Sequence, residues 1–306
     1  MSLAAGVVAY EPDGATLLPL ARFLAARADR ATVFVNQRIA PDLLGALEAI
    51  DPGLAVVRAD LNLGVGEALN WLALDAILAG CDRLALFDQD SRPGPDLLDG
   101  LSATLDRLKA EGRKPAAVGP RIVAPRGEEG TYKSPRYPRR RGVAPTADAS
   151  PVGFLITSGC LVDLAAFRQV GTFRADYFID GIDLEWCFRA WARGFSCWRD
   201  EAQAMEHTVG QGRARGPLAT PDQSDLRLST YARNAAYGWR LAHVPLSWRA
   251  RSAAYLTLQA LALLSARRFD RRFAGLLAGA VRDGLAGRLG PPPGAGSAVS
   301  WTPRDG

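Results

Sequence analysis

The chain has 306 residues, of which 48% are hydrophobic and 23% charged, so it can bury one large core or two smaller ones and is not a disordered chain. Its formal net charge of +5 is carried almost wholly by arginine and suits polyanions, anionic membrane surfaces and phosphorylated substrates alike. Cys81, Cys160, Cys187 and Cys197 form no CxxC pair, which argues against a zinc cluster or disulfide framework and predicts reduced thiols in a cytoplasmic protein.

The opening "MSLAAGVVAYEPDG" lacks the basic start of a secretory signal and reads as a first strand over 3–10. An amphipathic helix is predicted over 16–29, then strand 31–36, helix 41–50, strand 54–59, helix 66–80 and strand 83–87. Apolar strands alternating with helices through short connections imply βαβ units and a largely parallel sheet. Residues 125–151 are rich in Pro, Gly and Arg, have no apolar period, and are predicted to form a long loop. Regular structure is expected again from 152 to 163, with a short helix over 164–170 and a longer one from Ile182 to Arg193, ended by Gly194.

Beyond about Asp225 the chain turns helical and basic. The uncharged run Ala253 to Leu264 lies between Arg249 and Arg251 on one side and Arg267, Arg268, Arg271 and Arg272 on the other. It is well short of the roughly 20 residues that span a bilayer, which leaves a buried helix or an interfacial one.

The chemistry centres on "LALFDQDS" (84–91), an apolar strand that ends in Asp88 and Asp90. Two close carboxylates repel unless a cation, a proton or water separates them. This is either a solvated turn or a cation site beyond the carboxyl end of a strand, where open α/β sheets bind ligands.

Together with "VVAYEPD" (7–13), "NLGVGEALN" (62–70), "FIDGIDLEWCFRA" (178–190) and "EHTVG" (206–210), these residues resemble the family 2 glycosyltransferases of the GT-A fold, in the rhamnosyltransferase-like branch. The resemblance implies a Rossmann-like, mostly parallel α/β catalytic domain over 1–240. Its nucleotide-sugar half would be 1–124 and its acceptor and catalytic half 151–240. A basic helical extension (241–289) and a flexible tail (290–306) follow. The implied enzyme is an inverting, metal-dependent transferase that moves a sugar to a hydroxyl of a glycan or lipid-linked acceptor, in cell-surface polysaccharide synthesis. L-rhamnose from dTDP-L-rhamnose is the best-matched donor. Its implied place is cytoplasmic, at the inner membrane face, with an anionic membrane surface and a second copy of the chain as further partners. The alternative is a non-catalytic nucleotide- or glycan-binding relative. No groove-reading or stacking motif supports nucleic-acid binding.

The resemblance also assigns residues. Ala9, Tyr10 and Glu11 would hold base and ribose, although an aromatic ring at a strand end also serves packing. Val35 stands where relatives carry an Asp, which leaves Asn36 as the polar group. Gly64 and Gly66 permit close backbone approach at a helix start, either for a nucleotide or as an ordinary helix beginning. Asp88, Gln89 and Asp90 would face the donor, with Asp88, Asp90 and His207 around Mg²⁺ or Mn²⁺. Asp183 matches the base that takes the acceptor's proton. Asp180 and Glu185 lie beside it, and Glu185 can instead pair with Arg189 one turn on. Arg213, Arg215 and Arg233 would stabilise the leaving diphosphate.

Overall fold

The computed structural model describes residues 1–37, 39–50, 53–123, 137–206 and 224–292. Its first half alternates as predicted: β1 (Leu3–Ala9), α1 (Gly14–Arg27), β2 (Arg30–Val35), α2 (Pro41–Glu48), β3 (Leu54–Arg58), α3 (Val65–Leu78), β4 (Arg83–Asp88), α4 (Leu97–Ala110) and β5 (Pro115–Val123). Local chemistry starts the helices. The Asp13 side chain accepts from the Ala15 N–H at the head of α1, and Pro41 opens α2. Leu17, Leu20, Ala21 and Leu24 then share the buried face of α1 at helical spacing.

β1 pairs in parallel with β2 and with β4, and β2 with β3. Helices cover both faces of these strands, so β1, β2 and β4 read as continuous apolar runs rather than alternating ones. The second half adds β6 (Ala149–Val152), β7 (Cys160–Asp163), α5 (Leu164–Val170), α6 (Ile182–Ala192) and β8 (Ser196–Glu206). The sheet runs in the order β3-β2-β1-β4-β7-β5-β8-β6, with β5 and β8 parallel and β7 antiparallel to both its neighbours.

One prediction is corrected here. Ala149 to Pro151 fall within the expected loop, yet they open β6, whose Ala149 pairs with Asp200 of β8. The segment has no apolar period of its own. It is a strand because β8 offers it an edge.

Three helices close the described chain: α7 (Asp225–Gly238), α8 (Leu246–Ala266) and α9 (Arg271–Ala286). They share a second core of Leu228, Ala232, Leu256, Phe273, Leu277 and Ala280. α7 thus packs with α8 and α9. Within α8 only Leu256 and Gln259 are buried, while Tyr255, Leu258 and Leu261 remain exposed on one face. No helix among the described residues is long and apolar enough to cross a membrane.

α9 crosses α7 at Gly284, where an added Cβ would lie 2.1 Å from the Arg233 carbonyl oxygen and 2.9 Å from the Ala236 Cβ. Gly284→Ala must part the two helices and is expected to lower stability by about 2 kcal/mol or more. An unchanged denaturation midpoint would show that this crossing is not tight.

Candidate active site

β1 and β4 lie side by side and end together, with Val8 opposite Asp88. Just beyond, the Gln89 side-chain Oε1 accepts from the Tyr10 N–H (2.7 Å), and its Nε2 donates to the Tyr10 carbonyl (3.0 Å). Gln89, expected at the donor, is thus engaged in tying the turn after β4 to the turn after β1. Ala9 is also taken inward: its side chain is buried, and its carbonyl accepts from the Asn36 N–H. Tyr10 and Glu11 remain exposed above this edge, Glu11 at φ 45°.

Asn36, expected at the base, is engaged by the chain itself. It is buried, its Oδ1 accepts from the Leu63 N–H (2.8 Å), and its amide donates to Asn62 Oδ1 (3.0 Å), which itself accepts from the Gly64 N–H. Its polar atoms fix the loop before α3.

Gly64 and Gly66 do permit close approach, but the approaching group belongs to the chain itself. The Val65 N–H donates to the Phe178 carbonyl (2.6 Å). A Cβ on Gly64, at φ +83°, would lie 2.6 Å from the Phe178 ring, and one on Gly66 would lie 2.6 Å from the Arg174 carbonyl. The segment 174–178 occupies the helix start that the sequence offered to a nucleotide.

This crossing delivers the second set of carboxylates. Phe178, Asp180 and Gly181 all have positive φ (65°, 66° and 82°), a conformation that non-glycine residues hold only under constraint. α6 then starts with Asp183 in its first turn, half-buried, its Oδ1 accepting from the Leu184 N–H. Burial pushes the Asp183 carboxyl up to about 7, and the charges of Asp88 and Asp180 add to the effect. Residues far apart in sequence thus form one electrostatic cluster.

Sequence reasoning missed its cation. Arg227, on the first turn of α7, donates to both oxygens of Asp180 (3.0–3.3 Å) and also feels the charge of Asp88. Nothing in "SDLRLS" marks this arginine, because only the docking of α7 brings it to the site.

Two further expected residues are engaged by other parts of the chain. Glu185 is buried and accepts from Arg189 (2.9 and 3.0 Å) and pairs with His243 Nε2 (2.8 Å), which hold its carboxyl below its usual range despite burial. It belongs to the packing of α6, as the spacing to Arg189 had left open. Arg233 is buried as well, donating to the Tyr177 and Gly290 carbonyls and to Asn234 Oδ1. His207, Arg213 and Arg215 lie outside the described residues. The Glu206 carbonyl accepts from the Arg92 N–H, which sets the end of β8 beside the Asp88–Ser91 turn.

Among the described residues no three His, Cys, Asp or Glu side chains gather closely enough to hold a metal by themselves. The donor chemistry nonetheless fits a hard divalent cation. Asp88 and Asp90 carry carboxylates at the carboxyl end of β4, and the charges of Asp88 and Asp180 both act on Asp183.

Two consequences of the Asp183 environment can be measured. A reaction that used Asp183 as proton acceptor would need it ionised, so its turnover would rise with pH through about 7 and fall about tenfold per unit below. A flat profile from pH 5 to 8 would exclude it. Its native proton affinity also exceeds that of an unfolded Asp, near 3.9. It therefore favours folding at low pH, and that contribution disappears as pH rises from about 4 through 7. Metal-free Asp183→Asn should exceed the parent in stability at pH 8 by about 1–3 kcal/mol, with a smaller difference at pH 5, in urea titrations.

No family model matches the chain. The dTDP-rhamnosyl transferase RfbF of Shigella flexneri is 25% identical over 240 residues, covering 75% of this chain and 77% of that protein. Among solved structures, S. aureus TarS 1-349 in complex with UDP-GlcNAc matches with a TM-score of 0.58 at 13% identity, over 93% of this chain and 80% of that one. GalNAc-T7 with UDP, GalNAc and Mn²⁺ matches with a TM-score of 0.54 at 13% identity, over 83% of this chain. The chain spans about half of GalNAc-T7, 54% of its length, and 43% of the longer TarS chain. Such structural likeness establishes architecture: the mostly parallel eight-stranded sheet is that of the GT-A fold, here with a helical carboxy-terminal unit.

Proposed function

We propose that the chain is a metal-dependent inverting glycosyltransferase, with dTDP-L-rhamnose as its best-matched donor and a glycan or lipid-linked hydroxyl as acceptor. The observation that carries this reading is Asp183, a carboxyl raised to about 7 within reach of the Asp88 charge at the sheet edge. Similarity to a dTDP-rhamnosyl transferase and a fold shared with UDP- and Mn²⁺-bound structures support it.

In the proposed reaction Asp183 accepts the proton of the acceptor hydroxyl as its oxygen attacks the anomeric carbon. The bond between that carbon and the diphosphate oxygen breaks as the new bond forms, so configuration inverts and no enzyme nucleophile is needed. Asp88 and Asp90 would hold a Mg²⁺ or Mn²⁺ ion, which when bound neutralises charge on the diphosphate oxygens. His207 is the proposed third ligand. Gln89 and Asn36 act indirectly, fixing the turns on which Asp88 and Tyr10 stand.

Sugar release from dTDP-L-rhamnose, followed with and without acceptor, tests the reading. Chelator should abolish it and Mn²⁺ restore it. Asp90→Ala and Asp183→Asn should each cost about a hundredfold or more, the latter with donor binding retained. Parental turnover in excess chelator, or in Asp183→Asn, would refute the assignment.

The same reading places the protein at an anionic membrane surface. Tyr255, Leu258 and Leu261 form an exposed apolar strip on α8, Phe269 protrudes beyond it, and Arg251, Arg268, Arg271 and Arg272 are exposed around it. Sedimentation with phosphatidylglycerol vesicles should be strong at low salt, weak at high salt, and lost in Leu258→Glu/Leu261→Glu. Binding that survives both changes would rule this surface out.

A further inference from the structure

Arg227 is bound differently from Arg189 and Arg233. Arg189 is fixed by Glu185 together with the Val170 and Thr172 carbonyls, and Arg233 by the Tyr177 and Gly290 carbonyls. Among the described residues the Arg227 guanidinium donates to one acceptor residue, Asp180, and its side chain is 44% exposed against 18% for Asp180. Its backbone is anchored independently, since the Arg227 N–H donates to the Ser224 Oγ at the head of α7. The backbone of Asp180 is anchored too, its carbonyl accepting from the Asn234 amide. Both side chains can therefore change partners without moving the elements that carry them.

Electrostatics gives a reason for such a change. The described cluster holds the carboxylates of Asp88, Asp180 and Asp183, so a diphosphate arriving there meets repulsion as well as attraction. A guanidinium fork binds a phosphate in the same two-pronged way that it binds a carboxylate. Arg227 already lies within electrostatic range of Asp88, the residue on the donor side.

We propose that Arg227 binds the donor's diphosphate by exchanging Asp180 for phosphate oxygens, and that Asp180 is its latch in the ligand-free protein. This rests on the nucleotide-sugar reading above and assigns within it a residue that no sequence motif marks. The exchange breaks one ion pair and forms another; no covalent bond or proton moves. It also releases the Asp180 carboxylate toward the acceptor side as the donor is seated.

The latch makes a prediction of unusual sign. A purely structural ion pair is weakened by loss of either partner, whereas a latch opposes the ligand, so removing it should strengthen binding. Calorimetric titration of the full chain with thymidine diphosphate and with thymidine monophosphate, each with Mn²⁺, separates the two. Arg227→Ala should weaken diphosphate binding about tenfold or more and monophosphate binding less than about twofold. Asp180→Asn, which tolerates the left-handed backbone, should tighten diphosphate binding severalfold in the parent background and not in Arg227→Ala. If Arg227→Ala does not fold, Arg227→Lys replaces it, keeping the charge without the fork, with an expected loss of about threefold or more for the diphosphate alone. Equal weakening of both nucleotides, or equal tightening by Asp180→Asn in both backgrounds, overturns the latch while leaving the glycosyltransferase reading intact. A parent chain that binds neither nucleotide, nor the corresponding uridine nucleotides, overturns both.

Discussion

The hydrogen bond from the Val65 N–H to the Phe178 carbonyl is the contact on which the candidate site depends. It pins the segment before α6 across the start of α3, and Gly64 and Gly66 leave the room for it. Without that crossing, Asp180 and Asp183 would have no fixed relation to Asp88, which lies nearly a hundred residues earlier on β4. The close approach also commits the backbone: Phe178, Asp180 and Gly181 take left-handed conformations so that the chain can turn from the crossing into α6. Strain of this kind persists where surrounding contacts over-determine it, and here the Asn234 amide holds the carbonyls of Tyr177, Ile179 and Asp180.

Carboxylate crowding is the second constraint, and it follows from the first. Burial raises the proton affinity of Asp183 and the nearby charges of Asp88 and Asp180 add to it, an arrangement that opposes stability at neutral pH and suits a proton acceptor working there. Glu185, two residues on, shows the contrasting solution. It is more deeply buried, yet Arg189 and His243 keep it ionised, and it serves packing. Two acidic residues on one turn of α6 thus have opposite roles because their neighbours differ.

The helical unit is not an appendage to this arrangement. α7 carries Arg227, which pairs with Asp180, and Asn234, which holds the strained segment. α9 packs along α7, and Gly290, just past α9, donates to the Asp176 carbonyl and accepts from Arg233. The stability of the last helices is therefore coupled to the positions of Asp180 and Asp183, through the Arg227–Asp180 pair and through contacts to the backbone of 176–180.

The amino-acid sequence by itself determined the alternation of strands and helices, the parallel character of the first four strands and the location of the acidic turn after β4. Those properties follow from apolar periodicity and turn chemistry, which are local. It also marked Asp183, because an acidic residue at a helix start is visible in "GIDLEW". Only the tertiary structure decided which polar residues remain available to a ligand. Asn36, Gln89, Glu185 and Arg233 all have suitable chemistry, and each is engaged by a partner distant in sequence or by a neighbouring turn. Arg227 is the converse case, an unremarkable helix residue made part of the cluster by the docking of α7 against Asp180. β6 likewise exists because β8 offers it an edge. Hydrogen-bond satisfaction and charge pairing are long-range properties of the folded chain, and no local pattern encodes them.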